Sequence, residues 1–370
     1  MEIFLFCLIS IPLYRIFFNI TELSRQSKNK LFFILAVSQL FLISALRADC
    51  VGGDLVNYIP RFRLVHTLEF KDIFGIWEPG FMIFMKFISI ISSTPRFFLF
   101  STSLLIYILF ARYLYKNSPY VWVSILIFII FGFYSNTMNI IRHSIALMIT
   151  LNSIEDIVNK DLKKFVIKVL IAASFQVTAL VFFPAYLCSN FKFSFYRYIC
   201  AILGVIIISK MGIIVSVMQF FLSVFMPKLE EVVDFISSSG GGYMLALTMV
   251  IITSLLWLVY RCVKCKVNDT NKNKINVYFN LQLCAIMIQL LFAPLVSVST
   301  RLTAFYLCPL IVLVPLVIQC ICNKNYKILA FCGVLSIIVV LYMATGGYVD
   351  GTNSDLTLPY YFYWDVALKN

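Results

Sequence analysis

Long apolar runs, separated by short polar breaks, occupy most of the chain. A helix that crosses a bilayer needs roughly 20 predominantly apolar residues. By that measure the sequence predicts about ten membrane-spanning helices. The predicted spans lie at residues 2–20, 31–46, 97–115, 119–135, 138–158, 198–218, 243–260, 277–296, 301–321 and 328–345. The pattern therefore predicts an all-α polytopic membrane protein, in which residues 1–370 form a single integral membrane domain.

Two further apolar segments do not fit a simple crossing. Residues 80–93 are too short to span comfortably, and the stretch AASFQVTAL interrupts residues 166–187 with polar groups. We expect the first to be a re-entrant helix and the second a broken hairpin. Non-helical backbone at membrane depth must be buried in protein or line a wet cavity. The two segments therefore predict a cavity that opens to the outer side.

Composition and charge exclude a soluble protein. Of the residues, 61% are hydrophobic and 13% are charged, whereas about 25% are charged in ordinary soluble domains. A net charge of +13 would suggest nucleic acid as the partner of a soluble protein. Here the basic residues lie mostly in short loops between apolar runs, as the positive-inside rule requires. The charge therefore indicates a lipid bilayer and no nucleic-acid partner.

The same basic residues orient the chain. Arg25, Lys28 and Lys30 follow the first span, and a second loop carries Arg261, Lys264, Lys266, Lys272 and Lys274. We assign both loops to the cytoplasm. A single crossing by residues 166–187 would place the second loop outside, which is the reason for expecting a hairpin there. Three non-cytoplasmic stretches remain, namely 47–96 with its re-entrant helix, 219–242 and the C-terminal tail 346–370.

The densest polar cluster lies in the first outer stretch. It contains Arg47, Gly52, Gly53, Asp54, Tyr58, Arg61, Glu78, Pro79 and Gly80. The paired glycines permit unusual backbone conformations directly before Asp54, and the Glu-Pro-Gly sequence favours a turn before the re-entrant helix. Functional residues are common in loops that a rigid scaffold holds. The alternative is a solvated loop whose charges only keep it in water.

A second cluster opens the apolar run NIIRHSIALMITL. A buried Arg is costly in a membrane, so Arg142 should face the bundle interior and meet an anion. That anion is either a carboxylate of the outer loop or a ligand phosphate. His143 points about 100° away on the helix, which favours a structural hydrogen bond over a role as a base.

Arg301 forms a third outer site, between the predicted spans 277–296 and 301–321. With Arg142 and the outer loop, it brings guanidinium groups from separate chain regions to one face. This arrangement suits a diphosphate on a lipid carrier, and the alternative for each Arg is snorkelling to lipid headgroups. The chain contains no H-E-x-x-H, GxSxG, Walker A or dinucleotide-binding sequence, which argues against hydrolases, NTPases and redox enzymes.

The order of these motifs resembles the EpsG-type O-antigen polymerases (Wzy) of bacterial surface-polysaccharide loci. The motifs are VGGDLVNY, WEPGF, NIIRHSIALMITL, AASFQVTAL and RLTAFY, and they span roughly residues 47 to 310. The resemblance implies a multi-pass protein of the bacterial inner membrane. It also implies polymerisation of undecaprenyl-diphosphate-linked oligosaccharide repeat units at the periplasmic face, with a chain-length regulator protein as a further partner. A flippase for the same lipid-linked unit and an O-antigen ligase are the alternatives.

The resemblance also implies roles for individual residues. Positions that match its motifs are Gly52, Asp54, Tyr58, Glu78, Pro79, Gly80, Arg142, Ala146 and Arg301. The family usually has a His in a pattern like FHxSAL, and this chain has Gln176 there. Because Gln forms hydrogen bonds but takes up no proton at neutral pH, we expect it to orient a ligand.

Glycosyl transfer from a lipid diphosphate needs a base for the acceptor hydroxyl and cations for the leaving group. We assign the base to Asp54, with Glu78 as second choice. We assign the cations to Arg142 and Arg301, with Arg47 or Arg61 assisting. Substrate contacts are expected from Arg47, Gly53, Tyr58, Arg61, His143 and Gln176. Because guanidinium groups can serve the leaving group, we expect no obligatory metal or cofactor.

Overall fold

A computed structural model describes residues 2–75, 77–192, 194–212, 241–262, 269–344, 357 and 359–367. Every regular element in these ranges is a helix, and the one β-bridge recorded there is an isolated antiparallel pair between Arg47 and Phe362. The all-α class predicted from the sequence is therefore confirmed.

Seventeen α-helices and one 3₁₀ helix are seen in the described ranges. From the N-terminus they are α1 (Glu2–Ile20), α2 (Arg25–Ala45), α3 (Leu55–Thr67), α4 (Pro79–Ile91), α5 (Pro95–Asn117), α6 (Val121–Ile130), α7 (Phe133–Asn139), α8 (Ile141–Leu151), α9 (Ile154–Val158) and α10 (Leu162–Phe175). The 3₁₀ helix (Val177–Ser189) follows, then α11 (Phe195–Lys210), α12 (Gly241–Cys262), α13 (Asp269–Leu291), α14 (Val296–Leu307), α15 (Leu310–Gln319), α16 (Lys324–Ala344) and α17 (Tyr363–Ala367).

The chain divides into two compact units. The first comprises Met1–Asn152, Leu170–Val177 and Asn323–Asn370, and the second comprises Ser153–Val169 and Thr178–Cys322. In the first unit α5 packs against α2 and α8, and α3 packs against α4. In the second unit α13 packs against α11, α12 and α14.

Six helical stretches in the described part of the chain are long and apolar enough to cross a membrane, judged by length and composition. They are Ile3–Ile20, Arg25–Ala45, Pro95–Asn117, Gly242–Cys262, Asn271–Leu291 and Val298–Gln319. A seventh span results if the bent pair α6 and α7 is counted as one. These stretches make the chain a polytopic membrane protein, and the number of ten spans stays a prediction.

The predicted spans 119–135 and 138–158 are not single helices. The axes of α6 and α7 differ by 62°, and Gly132 between them adopts a left-handed conformation (φ +74°) that glycine tolerates without strain. The second predicted span is divided because Ile140 leaves the helical region. Its next helix, α8, ends at Leu151. The side-chain amide of the following residue, Asn152, donates hydrogen bonds to the carbonyls of Leu109 and Met148.

The predicted outer stretch 47–96 holds two short helices. Its expected short apolar helix is α4, which begins with Pro79 at a position where proline costs no hydrogen bond. The polar part before it was expected to be a loop, and this is wrong, because residues 55–67 form α3. Its buried side chains, Leu55, Tyr58, Phe62 and Val65, recur at helical spacing between charged neighbours.

Residues 166–187 reverse direction, as expected of a hairpin. The ring of Phe165 lies 6.1 Å from that of Phe182 and 5.4 Å from that of Tyr186. The Tyr186 hydroxyl donates a hydrogen bond to the Lys160 carbonyl. These contacts bring the start of α10 beside the far end of the 3₁₀ helix, so the chain turns back near Gln176.

Part of the predicted outer tail returns to the first unit. The Ala48 N–H donates to the Tyr361 carbonyl at 2.9 Å, and the Tyr363 N–H donates to the Leu46 carbonyl at 3.1 Å. The guanidinium carbon of Arg96 lies 4.3 Å from the centroid of the Tyr363 ring. The predicted outer loop 219–242 lies almost entirely outside the described residues.

The hairpin makes a prediction about topology. A reporter fused after Asn190 should be cytoplasmic, because the chain enters and leaves the 166–187 segment on the same side. Paired alkaline phosphatase and green fluorescent protein fusions would measure this, with fusions after Gly53 as the outer reference. A periplasmic signal after Asn190 would contradict the hairpin.

Candidate functional site

An ion pair between Glu78 and Arg142 forms the centre of the candidate site. Glu78 immediately precedes α4 and Arg142 is the second residue of α8, and their charged atoms lie 2.5 Å apart. The two side chains are 16% and 21% exposed, so the pair is largely removed from water. The other Glu78 oxygen accepts a hydrogen bond from the Val177 N–H at 3.2 Å. One carboxylate therefore joins α4, α8 and the turn of the hairpin.

Two guanidinium groups contact the Trp77 ring. The Cζ atom of Arg142 is 4.7 Å from the centroid of the Trp77 ring, and that of Arg61 is 4.6 Å away. Cations at such distances from an aromatic face are attracted by the ring quadrupole. Glu78 is paired to Arg142, whereas Arg61 has no carboxylate partner among the described residues. The Arg61 guanidinium can therefore receive an anion beside the Trp77 ring.

Tyr58 completes the aromatic wall. Its ring lies 5.1 Å from that of Trp77 and 5.9 Å from that of Phe81. The Nε of Arg142 donates a long hydrogen bond of 3.5 Å to the Tyr58 hydroxyl oxygen. Burial raises the pKa of Tyr58, and the hydrogen bond from Arg142 opposes this shift. The phenol therefore stays protonated at neutral pH and remains a hydrogen-bond donor.

Asp54 lies one helical turn before Tyr58, at the start of α3. Its backbone N–H donates to the Asn139 side-chain oxygen at 2.8 Å, which fixes the loop against the end of α7. Its carboxylate does not cap α3, and within the described residues it forms no ion pair or hydrogen bond. Asp54 is half-buried. It therefore offers an accessible carboxylate whose charge acts on Tyr58, whereas both oxygens of Glu78 are engaged.

Two glycines let backbone segments approach closely around the site. Gly52 has φ +117°, and a Cβ there would lie 2.6 Å from the Met138 carbonyl oxygen. A Cβ on Gly80 would lie 2.8 Å from the carbonyl oxygen of Ser174, on the last turn of α10. Larger residues are therefore excluded at the two positions that carry Asp54 and Glu78 into the site.

A sequence model of the EpsG family matches residues 30–362. The chain belongs to the EpsG family. This is the family of EpsG/Wzy-type polymerases, and the match confirms the resemblance seen in the sequence motifs. It covers every residue of the site described above. No curated protein and no solved structure matches the chain significantly.

Within this EpsG-family chain, the structure brings together four of the predicted site residues, Tyr58, Arg61, Glu78 and Arg142, and holds Asp54 beside them. Gly53 lies in the loop that leads to Asp54. Gln176 is half-buried next to Val177, whose N–H contacts Glu78, so the AASFQVTAL motif does reach the site.

Arg47 occupies a different position from the one predicted. It is 1% exposed, and its guanidinium donates to the carbonyls of Ser44 and Met138. Burial lowers the pKa of Arg47 to about 10. A side chain enclosed in this way cannot reach a substrate, so its predicted substrate contact is replaced by a structural role. It ties the end of α2 to the end of α7.

His143 and Arg301 are the two remaining predicted site residues. His143 is 4% exposed on α8, and its role as a structural hydrogen-bonding residue or a substrate contact stays a prediction. Arg301 is exposed on α14, which belongs to the second unit. Its predicted action together with Arg142 stays a prediction.

Sequence reasoning gave no role to Trp77, Asn139 or the Val177 N–H. Trp77 was visible in the WEPGF motif, and an aromatic residue directly before a candidate carboxylate was a usable signal. The Asn139 and Val177 contacts depend on chain segments that are 85 and 99 residues away in sequence. No local pattern could have shown them.

The close approach at Gly80 predicts a loss of folded protein on substitution. Gly80→Ala should destabilise the protein by about 1–3 kcal/mol, because the added methyl group must displace the Ser174 backbone. Thermal unfolding of purified protein and its abundance in membranes would measure the loss. Gly333→Ala in α16 is the control, since a Cβ there has no atom within 4 Å. Equal unfolding temperatures for the two variants would contradict the packing described here.

Proposed function

We propose that this protein polymerises undecaprenyl-diphosphate-linked oligosaccharide repeat units into O-antigen or a related surface polysaccharide. The reaction would take place at the periplasmic face of the bacterial inner membrane. Membership of the EpsG family supports a polymerase of surface-polysaccharide biosynthesis. The observation that carries the finer proposal is the pair of guanidinium groups on Trp77, set beside an accessible carboxylate.

The guanidinium groups would receive the diphosphate of the donor. Arg142 is oriented by Glu78 and Tyr58, and Arg61 is held near the same ring by its contact with the Asn57 carbonyl. Guanidinium groups bind phosphate oxygens through paired hydrogen bonds. Preorganised donors stabilise charge as it develops, so this pair favours departure of the diphosphate.

The position of α4 suits a lipid-linked donor. The helix begins beside Glu78, and the apolar side chains Phe87, Ile90 and Ile91 near its other end are 58%, 62% and 73% exposed. A polyprenyl chain could lie along these side chains while its diphosphate reaches Arg142. The ring of Trp77 would provide a flat apolar surface for the sugar next to the diphosphate.

Asp54 would act as the general base. The hydroxyl oxygen of the acceptor sugar attacks the anomeric carbon of the donor, and the bond from that carbon to the diphosphate oxygen breaks. The diphosphate leaves with the electron pair, and Asp54 takes the hydroxyl proton. Glu78 is less suited, because Arg142 and the Val177 N–H already engage its two oxygens.

Replacement of the base tests this assignment. Asp54→Asn should lower the rate of polymerisation about 10²–10⁴-fold, since the amide accepts no proton. The readout is the length of surface polysaccharide on a gel, from a strain that lacks this gene and carries the variant. Asp72→Asn is the matched control, because Asp72 is an exposed carboxylate in the same outer stretch. Wild-type chain lengths with Asp54→Asn, at equal protein level, would remove Asp54 from the mechanism.

Replacement of Arg142 tests the proposed function as a whole. The strain that lacks the gene should carry a lipid core with one repeat unit, and wild type should restore the full ladder. At equal protein level, Arg142→Ala should fail to do so, because one preorganised donor contributes about 10²–10³-fold to the rate. Arg63→Ala, an exposed Arg on the same helix as Arg61, should behave as wild type.

The same gel separates the competing functions. A core without any repeat unit in the deletion strain would contradict a polymerase and indicate a flippase or a ligase. A full ladder with Arg142→Ala would leave the polymerase intact and remove Arg142 from catalysis.

A further inference from the structure

The second unit contains a basic cavity that the proposed polymerisation does not use. It has a volume of about 620 Å³ and lies where α12 ends and α13 begins. Three cationic side chains line it, Lys192, Arg261 and Lys272, together with the aromatic rings of Phe195, Trp257 and Tyr260. No Asp or Glu is among the described residues of its wall. The described wall of the cavity is therefore positively charged and favours binding of an anion.

The walls of this basic cavity are held in place by contacts within the unit. The side-chain amides of Asn276 and Asn280, both on α13, donate to the Phe191 carbonyl at 2.6 and 2.7 Å. This fixes the loop that carries Lys192. The ring of Phe195 stacks on that of Trp257, with centroids 4.4 Å apart and planes at 16°. Contacts within the unit therefore hold these parts of the cavity wall in place.

An exposed apolar stripe on α12 leads to the cavity. Its members recur at helical spacing and are Met244, Leu247, Ile251, Leu255 and Leu258, each more than half exposed. Arg261 follows Leu258 by three residues and so lies on the same face of the helix. Because α12 is long and apolar enough to span a membrane, this stripe is a surface for acyl chains.

Aromatic residues at the end of the same span support this reading. Trp257 and Tyr260 lie in the last two turns of α12, where their amphipathic rings suit the membrane interface. The charge rule assigns this end of α12 to the cytoplasm. Basic pockets between spanning helices on that side of a membrane bind phospholipid headgroups.

We propose that the basic cavity binds the phosphate of an anionic phospholipid from the cytoplasmic leaflet, whose acyl chains lie on the α12 stripe. The site is separate from the polymerisation chemistry, and its test does not depend on that function. Phosphatidylglycerol represents the proposed ligand, and inorganic phosphate represents a soluble source of the same chemical group.

Thermal unfolding of the delipidated full-length protein would test the proposal. Phosphatidylglycerol should raise the unfolding temperature more than phosphatidylcholine with the same acyl chains. The combined variant Lys192→Gln, Arg261→Gln, Lys272→Gln should lose this difference. Each Lys or Arg near an anionic lipid contributes about five-fold to binding, so the variant should bind about 100-fold more weakly.

A matched variant controls for the loss of positive charge. Arg25→Gln, Lys163→Gln, Lys324→Gln removes three exposed cations from other predicted cytoplasmic loops and should keep the response to phosphatidylglycerol. If the cavity variant is unstable in phosphatidylcholine, Arg261→Gln alone is compared with Arg261→Lys, which should keep most of the response. Equal stabilisation by both lipids, a full response in the cavity variant, or stabilisation by inorganic phosphate alone would each overturn the proposal.

Discussion

The first unit depends on one ion pair in an apolar setting, that of Glu78 with Arg142. Removing two charges from water is costly, and their mutual attraction offsets that cost only when hydrogen bonds satisfy the remaining atoms. The Val177 N–H and the Tyr58 hydroxyl supply such partners here. Either charge alone would be left uncompensated, which is far more destabilising than the pair is stabilising. The main effect of the pair is therefore to specify that the start of α4 packs against α8 and the turn of the hairpin.

The interruptions of the helices follow from this arrangement. Arg142 reaches Glu78 because a new helix, α8, starts after Ile140 and its first turn faces α3 and α4. In a continuous helix through residues 133–151, the Arg142 guanidinium would point in a different direction. Gly52 and Gly80 permit the remaining close approaches, since backbone atoms fill the space that a side chain would need. Breaks and glycines that weaken individual helices are what allow the site to form.

The sequence predicted the helical class, most of the long spans and the motifs that hold Asp54, Glu78 and Arg142, because these depend on composition and short patterns. It did not predict α3, whose buried stripe alternates with Asn57, Arg61 and Arg63 and so looks like a solvated loop. It also assigned Arg47 to substrate, since an Arg just beyond a span usually lies at the surface. The burial of Arg47 depends on the Met138 carbonyl and on a chain segment near residue 362. Such long-range contacts leave no local trace.

The backbone pairing between residues 46–48 and 361–363 links positions more than 300 residues apart in the chain. During synthesis the segment after α2 leaves the ribosome early, and its pairing partner leaves near the end. The backbone groups of Leu46 and Ala48 therefore lack these partners while the second unit is translated. Contacts of such long sequence separation form slowly, because loop closure precedes any gain from the contact. The first unit therefore begins to be translated before the second unit, but its backbone pairing forms only after the second unit has been translated.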